Sequence, residues 1–182
     1  MIRCDWCGDD PLYMKYHDEE WGKPFNDDQL MFEFLLLETF QAGLSWITIL
    51  RKRENFRVAF DHFNPELIAK YDEYKVESLM QDAGIIRNRM KINAAVTNAQ
   101  LVQQMKEEGL GLSDYFWNWV DGKPVINHPK TMKDIPATSD LSDRISKDLK
   151  KRGFKFVGST VIYAHLQATG IVNDHIVDCH FR

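Results

Sequence analysis

The sequence predicts an all-α protein, and three observations support that fold class. Most of the chain divides into segments of moderate helical length with recognisable ends. Strand signals are sparse, and residues 155–157 are the one stretch expected to be extended. The length of 182 residues suffices for one or two hydrophobic cores and is too short for a multi-domain assembly. We therefore expect a single helical domain over residues 1–182.

The helix ends follow the usual chemistry of caps and stops. Asn26-Asp27-Asp28 caps a helix that continues apolar to Phe40 and stops at Gly43. Asn64-Pro65 starts another, with a cap followed by proline in the first turn. Helices are predicted from about residue 28 to 40, 45 to 60, 65 onward, 72 to 84, 88 to 108, 114 to 120 (opened by Ser113), 139 to 153 and 158 to 169. Residues 121–139 hold three prolines and are predicted to be mostly loop, the one candidate boundary between two lobes.

Charge and composition predict a soluble protein. The net charge of −4 argues against a nucleic-acid partner, since phosphate binding usually leaves a basic footprint. Basic clusters at residues 51–53, 87–91 and 147–155 keep a local DNA-binding face open, although each alone is typical of a solvated helix face. No apolar stretch approaches the ~20 residues needed to span a bilayer, and no export signal is evident. We therefore expect a cytoplasmic protein with no membrane partner.

Candidate metal ligands occur at both ends of the chain. They are Cys4 and His17 near the start, and His175 and Cys179 near the end. Two thiolates and two imidazoles form a standard structural zinc set, and an ion joining the ends would hold segments that otherwise fray. Spacing alone leaves the ligand choice open, because Cys4-x-x-Cys7 also resembles a ligand pair and His180 adjoins Cys179. The alternative is a set of surface residues with no mutual role.

One carboxylate lies in an apolar helix. Between Leu30 and Phe40, apolar side chains surround nearly the whole predicted helix, which is typical of a helix buried on all sides. Glu38 therefore has little access to bulk water, and a buried carboxylate must be paired, protonated or reserved for a ligand. A structural salt bridge, or a partly exposed last turn, is the alternative. We expect Glu33, on the same helix, to be an ordinary exposed charge.

Aromatic residues and a glycine turn accompany this carboxylate. The turn at Gly43 is predicted to project Leu44 and Trp46 near the end of the Glu38 helix. Four more rings cluster near the N-terminus, namely Trp6, Tyr13, Tyr16 and Trp21. Aromatic rings beside one buried carboxylate suit a flat, cationic or hydrogen-bonding ring as ligand, whereas core packing accounts for each ring taken singly.

Residues 79–92 are predicted to form a helix, a glycine turn at Gly84 and a second helix. In the DNA-binding helix-hairpin-helix, the turn offers backbone N–H groups to a phosphate and the next helix points its positive N-terminal end the same way. An ordinary αα-corner has the same spacing. The basic residues after the turn, including Arg87, favour DNA.

These motifs together resemble the DNA-3-methyladenine glycosylase I family, the constitutive bacterial type within the helix-hairpin-helix superfamily. The resemblance runs almost end to end. It is carried by Arg3-Cys4-x-Trp6, Asp10-Pro11-Leu12-Tyr13, Tyr16-His17-Asp18-x-Glu20-Trp21-Gly22, Gln41-Ala42-Gly43-Leu44-Ser45-Trp46-Ile47-Thr48, Asp82-Ala83-Gly84-Ile85-Ile86-Arg87, Lys150-Lys151-Arg152-Gly153-Phe154-Lys155-Phe156-Val157-Gly158 and Val172-Asn173-Asp174-His175. The chain lacks the Cys-rich tail of the best-known member, and no assignment depends on it.

The resemblance implies both an activity and a set of residue roles. The implied enzyme is a monomeric, monofunctional glycosylase that extracts 3-methyladenine, and as a further candidate 3-methylguanine, from double-stranded DNA and leaves an abasic site. Glu38 is the implied catalytic residue, and free 3-methyladenine is the implied product ligand. The implied positions are Cys4, His17, His175 and Cys179 for one structural Zn²⁺, Trp6, Tyr13, Tyr16, Trp21, Glu38 and Trp46 for the base, and Gly43, Leu44, Gly84, Arg87 and Lys151 for DNA.

Two other classes of protein compete with this interpretation. A zinc hydrolase requires three ligands plus a water, with a carboxylate base close by. A DNA-binding module without activity explains the hairpin and the basic clusters, but gives no reason for Glu38 inside an apolar helix.

Overall fold

The computed structural model describes residues 1–182 and confirms the all-α prediction. Nine α-helices account for most of the chain: α1 (Pro11–Glu19), α2 (Asp28–Gln41), α3 (Trp46–Ala59), α4 (Pro65–Ile68), α5 (Glu73–Gln81), α6 (Arg89–Glu107), α7 (Leu112–Asn118), α8 (Asp140–Arg152) and α9 (Ser159–Ala168). Single 3₁₀ turns lie at Asp5–Cys7, Asp61–Phe63 and Met132–Asp134. No helix combines the length and apolar character needed to cross a membrane.

Helix α2 lies at the centre of the fold. All ten residues from Met31 to Phe40 are buried, as predicted from the absence of a polar face. The helix packs against α3, α6, α7 and α9. Its N-terminus is capped by Asp27, whose carboxylate accepts a hydrogen bond of 2.7 Å from the Leu30 amide. A helix enclosed in this way can carry a side chain into an internal site without exposing it to bulk water.

The two hydrophobic cores meet around α2 and α3. The larger core includes the apolar residues of α2, α6 and α9. A smaller one joins the two chain ends, because Cys4, Tyr16 and Trp21 pack there with Cys179. Trp46, at the start of α3, contacts both cores. The N-terminal and C-terminal segments are therefore packed together rather than left to fray.

The extended conformation expected for residues 155–157 is wrong. Phe156 has a φ of 55°, and the main chain of Lys155 exchanges two hydrogen bonds with the side chain of Asn98, at 2.8 and 3.0 Å. This asparagine satisfies the groups that a neighbouring strand would otherwise pair. The observed strands are β1 (Val125–Ile126) and β2 (Val172–Asn173), paired in parallel with Val125 opposite Val172.

Some helix boundaries also differ from the prediction. Helix α1 was not predicted, although Asp10 accepts hydrogen bonds from the Leu12 and Tyr13 amides and Pro11 occupies the first position. Helix α5 ends at Gln81 rather than near Gly84. Helix α7 begins after Gly111 rather than at Ser113, because the Ser113 amide is bonded to the carboxylate of Asp28 at 2.8 Å.

Candidate active site and metal centre

A cavity of about 300 Å³ opens between helices α1, α2, α3 and α9. All six residues predicted to bind a base line it, namely Trp6, Tyr13, Tyr16, Trp21, Glu38 and Trp46. Four different segments of the chain supply these side chains. The volume is at the lower end of the range for small-molecule sites, so the cavity suits one flat ring system rather than an extended ligand.

Part of the cavity wall was not predicted. Thr160, Tyr163 and Gln167 line it from one face of α9, and residues 132–137 cover it from the loop after β1. The spacing of three and four residues on α9 is a signal that sequence analysis could have used. The loop contributes Met132, Ile135 and Pro136, and no helical period marks those positions.

The aromatic rings hold one another in fixed orientations. Trp6 packs edge-to-face against Tyr13, with ring centroids 4.9 Å apart, and against Trp21 at 5.0 Å. Tyr16 and Trp46 lie 5.5 Å apart at a tilt of 45°. The indole N–H groups of Trp6 and Trp46 are buried and donate to no acceptor in the protein. Buried donors without partners are costly, so these two N–H groups are available to donate to a ligand in the cavity.

Glu38 extends from α2 into this cavity and is 4% exposed. It lies in no ion pair, and burial alone raises the pKa of its carboxyl to about 8. A group held in this state gains most from a ligand that brings positive charge or N–H donors. Of the alternatives left open by the sequence, the structural salt bridge and the exposed last turn are therefore both wrong.

Glu33, one and a half turns earlier on α2, shows what a structural carboxylate looks like in the same helix. The expectation that it is exposed is wrong, because it is also 4% exposed. Arg53 donates to Glu33 at 2.7 Å, and Arg57 donates to both of its oxygens at 3.0 Å. Within the basic cluster at residues 51–53, Arg51 also pairs with Asp10, so two of its three charges are bound inside the protein. Glu38, in contrast, has no such partner.

The raised pKa of Glu38 predicts a pH-dependent stability. The folded protein retains a proton on Glu38 up to about pH 8, whereas the unfolded chain loses it near pH 4.5. Unfolding therefore releases this proton between those values, and the free energy of unfolding falls as the pH rises. We expect a loss of about 1.4 kcal/mol per pH unit from this group. Urea unfolding at pH 5.5 and 7.5 measures it.

Glu38→Gln is the matched comparison for that measurement. It keeps the shape of the side chain and removes the titration, so the variant should lose roughly 2 kcal/mol less than wild type between the two pH values. Identical pH dependence in the two proteins would show that Glu38 is ionised in the folded state.

Cys4, His17, His175 and Cys179 converge into one buried cluster. Their ligand atoms all lie within 4.8 Å of one another. The Cys179 sulfur is 3.3 Å from His175 Nδ1 and 3.6 Å from His17 Nε2. Cys7 is buried but turns its thiol to the Cys4 carbonyl, and the exposed ring of His180 accepts from the Ile2 amide. The geometry therefore selects the four residues among the candidates and can hold one metal ion.

The contacts behind the cluster fit a metal site. His17 Nδ1 lies 2.8 Å from Asp18, and His175 Nε2 lies 3.0 Å from the Trp21 carbonyl, which leaves the other nitrogen of each ring facing the cluster. Burial lowers the pKa of His175 to about 4, so its ring is neutral. Burial also raises the pKa of the Cys4 thiol to about 12, and only a nearby cation would ionise it near neutral pH.

The turn between α2 and α3, residues 42–45, is here called the wedge loop. Gly43 has a φ of 81°, a conformation that favours glycine. The Gln41 side chain donates to the Leu44 carbonyl at 2.6 Å, and the Leu44 amide donates to the Gln41 carbonyl at 2.7 Å. Leu44 is 38% exposed. The loop thus presents an apolar side chain to solvent from a closed turn, and it connects Gln41 and Trp46, which both line the cavity.

Of the remaining residues predicted to bind DNA, Gly84 and Arg87 lie in the hairpin between α5 and α6. A Cβ atom on Gly84 would lie 3.1 Å from Asn55, so the position has little room. Its amide donates to the Asp82 carboxylate at 2.7 Å, so this N–H group is already paired within the turn. Arg87 is exposed and lies in no ion pair. Lys151 lies at the end of α8, whose main packing partner is α9 rather than the hairpin helices.

Comparison with known proteins agrees with this geometry. The profile of a family described as methyladenine glycosylase matches residues 6–182. DNA-3-methyladenine glycosylase 1 of Escherichia coli (strain K12) is 50% identical over 179 residues, which cover 98% of this chain and 96% of that protein.

Solved structures show the same similarity. A crystal structure of 3-methyladenine DNA glycosylase I has a TM-score of 0.96 at 50% identity, covering 98% of both chains. A tyrosine-to-phenylalanine variant of such an enzyme, in complex with 3-methyladenine, gives a TM-score of 0.95 at 36% identity and covers 99% of this chain and 97% of that chain. The chain belongs to the methyladenine glycosylase family.

Proposed function

We propose that this protein is a DNA glycosylase that hydrolyses the N-glycosyl bond of 3-methyladenine in double-stranded DNA and leaves an abasic site. The observation that carries the proposal is the unpaired, buried carboxyl of Glu38 in an aromatic cavity of base-like dimensions. A cavity this deep requires the nucleotide to leave the base stack, which costs a few kcal/mol and least for a poorly paired lesion.

The chemistry asks little of the enzyme beyond binding and charge compensation. The base of a 3-methyladenine nucleotide is positively charged, so it leaves without prior protonation. The bond between the base nitrogen and C1′ breaks with its electron pair going to the base, which leaves as a neutral molecule. A water oxygen forms the new bond at C1′ and releases one proton to solvent. Glu38, ionised by the approaching cation, accepts a hydrogen bond from the exocyclic amine. Trp46 stacks on the ring, and Trp6 and Tyr16 complete the slot.

The wedge loop and the hairpin form the proposed DNA-binding face. Leu44 enters the duplex beside the extracted nucleotide and replaces part of the lost stacking. The amides of Ile86 and Arg87 donate to no group in the protein, and they precede the N-terminus of α6. Free amides at a positive helix end suit a backbone phosphate, and Arg87 adds a mobile charge. Lys151 contributes a second, more distant phosphate contact.

Truncation of the wedge should separate extraction from base recognition. For Leu44→Ala we expect duplex excision to fall by about tenfold, because inserted apolar side chains compensate unstacking. Affinity for free 3-methyladenine should stay at the wild-type value, since the cavity is intact. Leu67→Ala, which truncates a similarly exposed leucine on α4 (45% exposed), is the control. Equal loss of excision and free-base affinity would assign Leu44 to the pocket instead.

We also propose that the four-residue cluster binds zinc and that the ion is structural. Tetrahedral Zn–S bonds of about 2.3 Å and Zn–N bonds of about 2.05 Å give sulfur–nitrogen separations of roughly 3.5 Å. The observed separations of 3.3 and 3.6 Å are close to that value. The bound ion would stabilise the packing of the two chain ends. Four protein ligands leave no position for a reactive water, which argues against the hydrolase alternative.

Direct binding of the product tests the proposed pocket. Titration of the protein with free 3-methyladenine should give saturable one-to-one binding and quench tryptophan fluorescence, because Trp6 and Trp46 line the cavity. Adenine, which lacks the methyl group, is the control ligand. Equal affinity for the two bases would contradict recognition of the alkylated base at this site.

A further inference from the structure

One buried ammonium group joins the hairpin to the wedge loop. Lys91, in the first turn of α6, is 6% exposed. Its Nζ donates to the Phe40 carbonyl at 2.8 Å and to the Ala42 carbonyl at 2.6 Å. The first acceptor belongs to the last turn of α2, and the second is the first residue of the wedge loop. A single side chain therefore spans the helix that carries Glu38, the wedge loop and the hairpin.

No carboxylate accompanies this charge. Lys91 lies in no ion pair, and burial lowers the pKa of its ammonium. Its partners are main-chain carbonyls at the end of α2, where the helix has no further amides to offer and the helix dipole is negative. An ammonium group is well suited to this position, because it supplies several donors to carbonyls that would otherwise lie unpaired.

The hairpin turn is also held to α3, on the other side of the wedge loop. Lys52 donates to the Ala83 carbonyl at 3.3 Å, and Asn55 donates to the Gly84 carbonyl at 3.2 Å. The hairpin is thus bonded to the elements on both sides of the wedge loop. Lys91 binds the end of α2, and α3 binds the hairpin turn. Side-chain hydrogen bonds to main-chain carbonyls leave the loop few ways to move relative to the hairpin.

We propose that Lys91 is a positioning residue for nucleotide extraction. Its ammonium fixes the wedge loop relative to the hairpin, so that a backbone phosphate bound at the start of α6 sets the depth at which Leu44 enters the duplex. This inference rests on the proposed function. It assigns Lys91 no contact with the base or with the reacting atoms.

The test compares lesions that differ only in the cost of extraction. Single-turnover excision is measured on a duplex with 3-methyladenine opposite thymine, and on the same duplex with the lesion opposite an abasic site. For Lys91→Met we expect about tenfold slower excision opposite thymine, but a loss within about threefold opposite the abasic site, where the lesion is unpaired. Lys91→Arg, which retains the charge and the donors, should excise the lesion opposite thymine at nearly the wild-type rate. Free 3-methyladenine should bind all variants equally.

The controls separate this role from general stability. Lys106→Met makes the same change at an exposed position of α6 and should leave both rates unchanged. Equal slowing by Lys91→Met on the two duplexes, or no slowing on either, would overturn the proposal. If Lys91→Met fails to fold, Lys91→Gln, which retains one donor group, takes its place. Its excision rate must then fall more on the duplex with thymine than on the duplex with the abasic site. Failure of the proposed function would look different, because wild type would then excise neither lesion.

Discussion

Replacing Glu38 with glutamine is expected to reduce excision of 3-methyladenine by about 100-fold, because the variant can no longer compensate the charge of the bound base. Glutamine has nearly the same shape, so the cavity and its rings should remain in place. It presents one acceptor and one donor group where the cation and its amine require acceptors. Affinity for free 3-methyladenine should also fall, by about tenfold. Single-turnover kinetics on methylated duplex and titration with the free base measure the two effects.

Glu33→Gln provides the matched control on the same helix. This substitution disrupts the pairs with Arg53 and Arg57 and should lower the free energy of unfolding by roughly 3 kcal/mol, while excision by the remaining folded protein stays near wild type. Glu38→Gln should do the reverse near pH 8, where it removes the cost of keeping buried Glu38 protonated while the same group is ionised in the unfolded chain. Full excision and full free-base affinity in Glu38→Gln would rule out the role assigned to Glu38.

Loss of one metal ligand is expected to have the largest effect on stability. Cys179→Ser should lower the free energy of unfolding by on the order of 4 kcal/mol, because both chain ends lose the ion that joins them. Bound zinc, measured by atomic emission, should fall from one equivalent to near zero. Excision below the lowered melting temperature should persist, since the ion supplies no reacting group.

Cys7→Ser is the control for that experiment. Cys7 is also buried and near the N-terminus, yet its thiol contacts a carbonyl and lies outside the cluster. A serine hydroxyl can make the same hydrogen bond, so zinc content should be unchanged. Equal zinc content in Cys179→Ser and Cys7→Ser would refute the assigned ligand set, and immediate, reversible loss of rate on chelation of a folded protein would favour a hydrolase.

The sequence was most informative where a residue departed from the pattern of its helix. The continuous apolar surface of α2 predicted complete burial, and Glu38 stood out because a carboxylate is unexpected within such a surface. The same rule applied equally to Glu33, which was wrongly expected to be exposed. Its partners lie on α3. The spacing of apolar residues along one helix does not show which side chains of a second helix will contact it.

Other features depended on tertiary contacts that sequence patterns do not contain. Spacing left Cys7 and His180 as rival metal ligands, and only the resemblance, and then the geometry, distinguished them from Cys179. Charge clusters did not show which basic residues are paired inside the protein, since carboxylates on other helices bind Arg53 and Arg89. Lys91 was counted only within the basic cluster at residues 87–91, and its burial was not predicted, because a lysine in the first turn of a helix is usually solvated.

Analysis of the bases released from methylated duplex DNA tests the central claim most directly. Duplex DNA treated with a methylating agent is incubated with the folded, metal-loaded protein, and the soluble fraction is resolved by mass spectrometry. The proposed function predicts free 3-methyladenine in amounts that rise with enzyme and time for wild type, with strongly reduced release by Glu38→Gln. Release of no 3-methyladenine above the protein-free background would contradict it.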